Sequence, residues 1–269
     1  MLESLVLGTI QGITEWLPVS SEAAVILANL HLFDREAGLA EMVRLALFLH
    51  LGTFFAALWY FREDVRRLFV GLFTFPAASP ETRRMLVFLF VATLASGATG
   101  FLLLGFVERM AEWGGLSGKV LMGGIGLLLL LTGAFQVRAR KTRKGTFALK
   151  GAGEVTFRDG LFLGVLQGAS VLPGLSRSGI TISVLLLRRF HEVQALRLSF
   201  LMSLPAVLGG NIVLQTNEFA FSFSGLLGLG AAFLFGFLTI HMLVGVARKI
   251  DFGYFTIVFG LLALVALLL

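Results

Sequence analysis

The run "VLPGLSRSGIT", Val171 to Thr181, sets an arginine between two serines just after a Pro-Gly pair, inside an otherwise apolar stretch from Gly160 to Leu187. Proline lacks the backbone donor a helix needs and pushes the residue before it out of helical geometry. A helix crossing from 160 to 187 is therefore cut near its middle. Each half is shorter than the about 20 residues that about 30 Å of hydrocarbon requires. The stretch from Leu2 to Leu32 is interrupted in the same way at "LPVSS", Leu17 to Ser21. Non-helical backbone at membrane depth persists only where protein or a watery cavity surrounds it, so both regions read as re-entrant helix-loop-helix hairpins.

The remainder of the chain supplies the membrane setting. Of 269 residues 57% are hydrophobic and only 14% charged, with mean hydropathy +0.90, whereas a soluble domain is about a quarter charged. Uninterrupted apolar spans run over about 42–61, 85–106, 118–137, 193–215, 223–246 and 253–269. The fold expected is all-α and integral to the membrane: six transmembrane helices plus two re-entrant hairpins in one domain, 1–269. The opening run carries Glu3 and no early basic residue, unlike a cleaved signal peptide. Cysteine is absent, which excludes disulfides and thiolate chemistry. The net charge of +6 sits in loops between apolar spans, so nucleic acid is not an expected partner.

An internal repeat organises these pieces. "LGTIQGITEWLPVSS" and "LGVLQGASVLPGLSRS" share LGxxQG followed by LP and serines, and "RLALFLHLGTFFAAL" from Arg44 resembles "RLSFLMSLPAVLGGN" from Arg197 at nearly the same offset. Hairpin plus three spans therefore occurs twice, as 1–137 and 158–269. The loops 62–84, 138–158, 188–197 and 247–252 share one side and hold 17 of the 22 Lys and Arg, against Arg35, Arg44, Arg109 and Lys119 on the other. Basic loops stay cytoplasmic, which turns both termini outward and brings the hairpins in from opposite faces, an inverted repeat whose tips meet near the midplane. The pairs Gly8–Gly12 and Gly164–Gly168 are expected to let the tips approach. Trp16, Trp59, Tyr60 and Trp113 suit interfacial belts or pocket walls.

Arg177 belongs to neither set of loops. A charge at membrane depth costs several kcal/mol on insertion scales, so it is expected to be paired and functional. Gly174 turns the chain, Ser176 and Ser178 offer hydroxyls, and the next helix presents free N–H groups and its positive dipole end. That concavity suits an anion with several oxygens, above all phosphate, which a guanidinium grips at two oxygens. In the first tip Gln11 and Glu15 share a helix face, with Ser20 and Ser21 at the next helix start. Glu15 can ligate a cation, act as base or hold Arg177, and Ser21 can act as nucleophile. Helix capping is the commoner role for either serine, and dipole matching for Glu22.

The runs "PGLSRSGIT" and "QGITEWLPVSS" resemble the two signature motifs of the undecaprenyl-diphosphate phosphatase family of the bacitracin-resistance type, and the resemblance covers nearly the whole chain. It implies an inverted-repeat membrane fold and a site opening to the outer face of the plasma membrane. It also implies removal of the terminal phosphate from a polyprenyl diphosphate, helped by Mg2+ or Ca2+. Carried across, it makes Glu15, Ser21 and Arg177 catalytic, Glu15 the metal-binding carboxylate, and Gln11, Ser20, Gly174, Ser176, Ser178 and Thr181 substrate-binding. The lipid diphosphate, the membrane and a second copy of the chain, as a homodimer, are the partners expected. Bacterial members commonly place a histidine three residues beyond the second serine, where this chain has Ala24. His31, His50, His191 and His241 lie elsewhere; His50, inside the third apolar block, can reach the site, although hydrogen-bonded packing is the commoner role for a lone histidine there. A polyprenyl-phosphate carrier or flippase without hydrolysis is the alternative.

Overall fold

A computed structural model describes residues 1–17, 19–33, 39–112, 118–142, 149–172, 174–213, 222–246 and 252–265. Readings that concern Pro18, Pro173, Arg35, Trp113, the basic run 143–148 and the chain end at 266–269 lie outside these residues, as do the side chains of His31, Arg109 and Lys119. Eleven α-helices are described: α1 (Leu2–Thr14), α2 (Ser21–Leu32), α3 (Leu39–Tyr60), α4 (Arg62–Phe73), α5 (Pro80–Glu112), α6 (Gly118–Thr142), α7 (Phe157–Ala169), α8 (Arg177–Leu187), α9 (Glu192–Val213), α10 (Phe223–Val246) and α11 (Phe252–Val265). Among the described residues there is no named strand, and one isolated bridge joins Lys150 to Phe190. The chain is all-helical, and the segments Glu41–Tyr60, Pro80–Gly105, Glu192–Val213 and Phe223–Val244 are long and apolar enough to cross a membrane. Of the other two expected spans, α6 contributes a shorter apolar segment, Gly123–Arg138, and the described part of α11 stops at Val265.

The two interruptions fall where the sequence puts them. The first apolar block divides into α1 and α2, the second into α7 and α8, with breaks at 15–20 and 170–176. Hydroxyl caps restart or start these helices. Ser20 accepts from Ala23 N at the start of α2, and Ser176 accepts from Gly179 N at the start of α8. Thr156 and Asp159 form a reciprocal capping box at the start of α7.

Glycine sets how the half-helices pack, in a way the sequence reading misplaced. The Gly8–Gly12 and Gly164–Gly168 pairs were expected to bring the tips together, but each presses its half-helix against a long helix. A methyl on Gly12 would lie 2.8 Å from Ala232 O and from Gly236 N of α10. One on Gly164 would lie 2.5 Å from Ala92 O of α5, and one on Gly168 2.5 Å from Ser96 O. Small residues at i and i+4 line one helix face, and that face lets two backbones touch. The tips are joined instead by side chains, as described below.

These contacts also fix directions. Along α1, Gly8 meets Gly228 and Gly12 meets Ala232 and Gly236, so α1 and α10 run parallel. Gly160, Gly164 and Gly168 meet Phe88, Ala92 and Ser96 in order, so α7 and α5 run parallel. α3 runs with α10, since Gly228 faces Leu49 and Gly236 faces Thr53 and Ala56. α9 opposes α3: Asn211 Nδ2 donates to Leu47 O, while Arg197 pairs with Asp64 just past the end of α3. At the Asp64 end, Arg67 also bonds Asp64 and reaches Met85 near the start of α5. Hence α5 and α9 leave this end together, and α1 and α7 point in opposite senses.

Two further differences concern side chains. The basic loop 62–84 contains the helix α4, which buries Leu68 and Gly71 and exposes Phe69, Leu72 and Phe73. Trp16, expected at an interface or pocket wall, is 1% exposed and packs edge-on against Phe200 at 4.7 Å. It anchors the residue next to Glu15 in the main core, which also holds Phe88, Leu163, Leu185 and Phe190.

Candidate active site

The tips of the two broken helices interlock through complementary donors and acceptors. Gly174 N donates to Ser20 Oγ (3.2 Å) and Ser178 Oγ donates to Leu17 O (2.8 Å). Gly174 has φ +102°, and a methyl there would meet Ile125 O at 2.8 Å, so no other residue fits this turn without strain. Across the junction Arg177 Nη2 donates to Glu15 Oε1. The side chains of this ion pair are 14% and 2% exposed, so the two charges meet away from bulk water.

Glu15 gathers the other polar groups. Its Oε2 accepts from Gln11 Nε2 at 2.8 Å and from Ser21 Oγ at 2.6 Å. His50 Nε2, from the middle of α3, lies 3.0 Å from the same oxygen and 3.5 Å from Ser21 Oγ. The opposite ring nitrogen, Nδ1, is 2.6 Å from Ala46 O, four residues back on α3. Carbonyl and carboxylate oxygens only accept, so Nδ1 donates to Ala46 O and Nε2 is placed to donate to Glu15 Oε2, beside Ser21 Oγ.

The two neighbouring serines separate by role. Ser20 is occupied as the α2 cap and as the acceptor for Gly174 N. Ser21 is left with its hydroxyl on Glu15 and beside His50. In the second tip Ser176 caps α8 and lies 3.3 Å from Ser178, while Thr181 Oγ1 donates to Arg177 O (2.7 Å) and lies 2.7 Å from Ser199 Oγ. Gln11, Ser176, Ser178 and Thr181 thus hold the loops in place.

A cavity of about 360 Å³ opens beside this cluster. Glu15, Ser20, Ser21, Glu22, His50 and Arg177 form its polar end, and Phe101, Leu104, Val171, Leu175, Val207 and Val213 belong to its apolar wall. Its contributions from α5, residues 93–104, start near the middle of that helix and those from α9, residues 203–213, fill its C-terminal half, away from the Asp64 end. Arg177 Nη1 is buried without a hydrogen-bond partner. Buried donors are almost always satisfied, so an orphaned guanidinium nitrogen in a cavity wall points to an acceptor that comes from outside the chain.

A resident metal ion does not fit this donor set. Both oxygens of Glu15 already face donors, and no group of three His, Asp or Glu among the described residues is arranged to hold an ion. Glu22, in the first turn of α2 as a dipole-matching residue should be, also lines the cavity. Among the described residues no hydrogen bond or ion pair is made by its carboxylate.

The sequence reading let His50 reach the site but favoured packing, and the structure sets its Nε2 3.0 Å from Glu15 Oε2. A signal was present in the repeat: aligning "RLALFLHLG" with "RLSFLMSLP" sets His50 opposite Ser203, and both line the cavity. Gln11 and Gln167 are a second matched pair, and Gln167 Nε2 donates to Ser96 Oγ and Met202 O at 3.3 Å on the far wall.

Comparison with known proteins is consistent along the whole chain. Residues 4–265 match the family model described as Bacitracin resistance protein BacA. An undecaprenyl-diphosphatase of Methanococcoides burtonii is 39% identical over 272 residues, covering 99% of this chain and 98% of the relative. Proteins of the same name from Haloarcula marismortui and Methanothrix thermoacetophila are each 36% identical, covering 100% and 98% of this chain and 98% and 95% of the relatives. The chain belongs to the BacA family.

Proposed function

We propose that this chain is a membrane hydrolase that removes the terminal phosphate of a polyprenyl diphosphate of the undecaprenyl type, regenerating the lipid monophosphate carrier. The observation that carries the reading is Arg177: Nη2 is held by Glu15, and Nη1 is buried without a partner in a residue that lines, with Ser21, the same cavity. The names of the relatives, at 36–39% identity, favour hydrolysis over a carrier that binds without turnover.

The chemistry follows from the placement of the groups. The terminal phosphate enters the polar end, where Arg177 Nη1 and the α2 N-terminus offer donors and positive potential. Phosphate then competes with Glu15 for the guanidinium. Ser21 Oγ stands ready to attack phosphorus in line with the bridging oxygen, and Arg177 stabilises charge on the transferring phosphoryl group. The prenyl chain leaves along the apolar wall toward Phe101, Leu104 and Val213. Gln11, Ser20, Gly174, Ser176, Ser178 and Thr181 keep the two tips in register around the phosphate.

The finer architecture belongs to the same proposal. The opposite senses of α1 and α7, and their exchange of partners (α1 on α10, α7 on α5), support two re-entrant hairpins in an inverted repeat with six spans. With the basic loops cytoplasmic, the cavity opens toward the outer face of the plasma membrane. Mg2+ or Ca2+ travels as part of the diphosphate complex, because Glu15 has no oxygen to spare for it. A second copy of the chain remains a candidate partner.

Reconstituted protein supplied with a C55 or shorter prenyl diphosphate tests the reading. Phosphate release is the expected result. Head-group translocation across the vesicle without release would replace the hydrolase by the carrier.

A further inference from the structure

We propose that the trough between the starts of α5 and α7 is a binding site for an anionic glycerophospholipid, whose phosphate Arg83 and Arg84 receive and whose acyl chains lie along the two helices. A cavity of about 580 Å³ opens where these helices begin, and its lining includes Arg83, Arg84, Phe75, Val87, Val155 and Phe157. It shares no residue with the cavity beside Glu15. The proposal stands whether or not the chain hydrolyses diphosphates.

The two arginines have donors to spare. Among the described residues the Arg83 guanidinium makes no hydrogen bond or ion pair, and Arg84 makes one hydrogen bond, from Nε to Pro80 O at 3.3 Å. The nearby carboxylates are engaged elsewhere. Glu81 Oε1 lies 4.0 Å from Arg67 Nη1, Glu154 accepts from Gly151 N, and Asp159 holds Thr156 and Arg188. Two guanidinium groups at one cavity therefore keep their pull on an external anion, and their planar forks match phosphate oxygens. They stand on the side of the basic loops, where a membrane presents its anionic lipid head groups.

Beyond the arginines both helices turn an apolar face outward. Val87, Phe90 and Leu94 on α5 and Phe157, Leu161 and Val165 on α7 are exposed, and their spacing of three or four residues puts each set on one side of its helix. Gly160 and Gly164 press α7 onto α5 in parallel, so the two stripes run in the same direction. Val87 and Phe157 also line the cavity, which joins the basic mouth to the apolar trough. The stretch Pro80–Gly105 is long and apolar enough to cross a membrane. From Arg84 to Leu94 is about 15 Å at about 1.5 Å per residue, close to half of the about 30 Å of hydrocarbon. The site thus matches an amphiphile with an anionic head and chains one leaflet long, whereas a soluble phosphate would leave the trough empty.

The experiment is native mass spectrometry of the full-length protein in neutral detergent with phosphatidylglycerol or phosphatidylcholine, run beside thermal melts. Wild type should retain phosphatidylglycerol at concentrations where phosphatidylcholine is lost. Glycerol phosphate, a head group without chains, should leave the melting temperature unchanged. Arg83→Gln/Arg84→Gln should weaken phosphatidylglycerol binding by about 10- to 30-fold, and Arg83→Gln alone by about fivefold. Arg62→Gln/Arg66→Gln removes the same charge from exposed arginines of α4 and should keep the wild-type affinity. The site is overturned if Arg83→Gln/Arg84→Gln binds as wild type does, if both double variants lose affinity equally, or if wild type shows no preference for phosphatidylglycerol. A melting shift with glycerol phosphate equal to that with the lipid would overturn it too, assigning the arginines to a soluble anion. Should the double variant fail to fold, Arg83→Gln alone decides.

Discussion

Replacing Arg177 by lysine isolates what the guanidinium does beyond carrying charge. Arginine presents separate nitrogens to Glu15 and to the cavity, with Nη2 on Oε1 and Nη1 unpartnered. A lysine ammonium is a single point donor and cannot serve both at arginine geometry. Losing one charge-assisted hydrogen bond to the phosphoryl group costs about 1.5–3 kcal/mol. At 1.36 kcal/mol per tenfold that slows phosphate release by about 10- to 150-fold. Arg177→Ala also strands Glu15, whose side chain is 2% exposed. Removing one partner of a buried pair costs about 3–5 kcal/mol, and the lower figure applies here because His50 stays beside the carboxylate. Release should then be nearly abolished and the melting temperature in detergent should fall. The assay is phosphate release from a prenyl diphosphate, run beside a thermal melt. Arg177→Lys within about threefold of wild type, or persistent release by Arg177→Ala, would refute the clamp.

Three other outcomes follow from the geometry. Gly164→Leu drives a side chain into Ala92 O and Ala95 Cβ and should cost about 1–3 kcal/mol in thermal unfolding. Gly124→Ala, with nothing within 4 Å of the added methyl, should gain up to about 1 kcal/mol of helix propensity. Ser20→Ala removes the α2 cap and the acceptor for Gly174 N. It should lower stability by about 1 kcal/mol and slow phosphate release far less than Ser21→Ala does. EDTA should suppress release and added Mg2+ or Ca2+ should restore it, while equilibrium dialysis finds no stoichiometric cation on the protein until a diphosphate is added.

How much the sequence revealed depended on whether the signal was local. Both helix breaks were legible because proline acts on its own neighbours, and Arg177 stood out because nothing else in its apolar block carries charge. Capping was legible as a preference but not as an assignment: two adjacent serines satisfy the same pattern, and only the fold decides that Ser20 caps and Ser21 faces Glu15. His50 is separated from Ser21 by 29 positions, and in a single sequence a polar residue within a span carries no label for what it meets. The glycine motifs were visible, but their partners were not. A small-residue face specifies close approach and is silent about which helix approaches, so Gly8–Gly12 and Gly164–Gly168 were matched to each other when each had a long helix to itself.

That exchange of partners explains how the molecule tolerates a buried ion pair at its centre. Each buried ion loses several kcal/mol of hydration, which the attraction between Glu15 and Arg177 offsets only when their geometry is held and their remaining polar atoms are satisfied. Neither tip has the means alone, since α1 and α7 are 13 residues each and end in open loops. α1 is held on α10 and α7 on α5 through glycine faces that fix their depth, and Trp16 locks the first tip into the core beside Phe200. The loops then join through Gly174 N, Ser178 Oγ and the ion pair. The scaffold thus fixes Glu15 well enough to satisfy three donors and still leaves Arg177 Nη1 without an acceptor. An unsatisfied buried nitrogen costs stability, and a phosphoryl oxygen that occupies it returns that energy on binding, which puts the selective contact at the atom where charge moves during transfer.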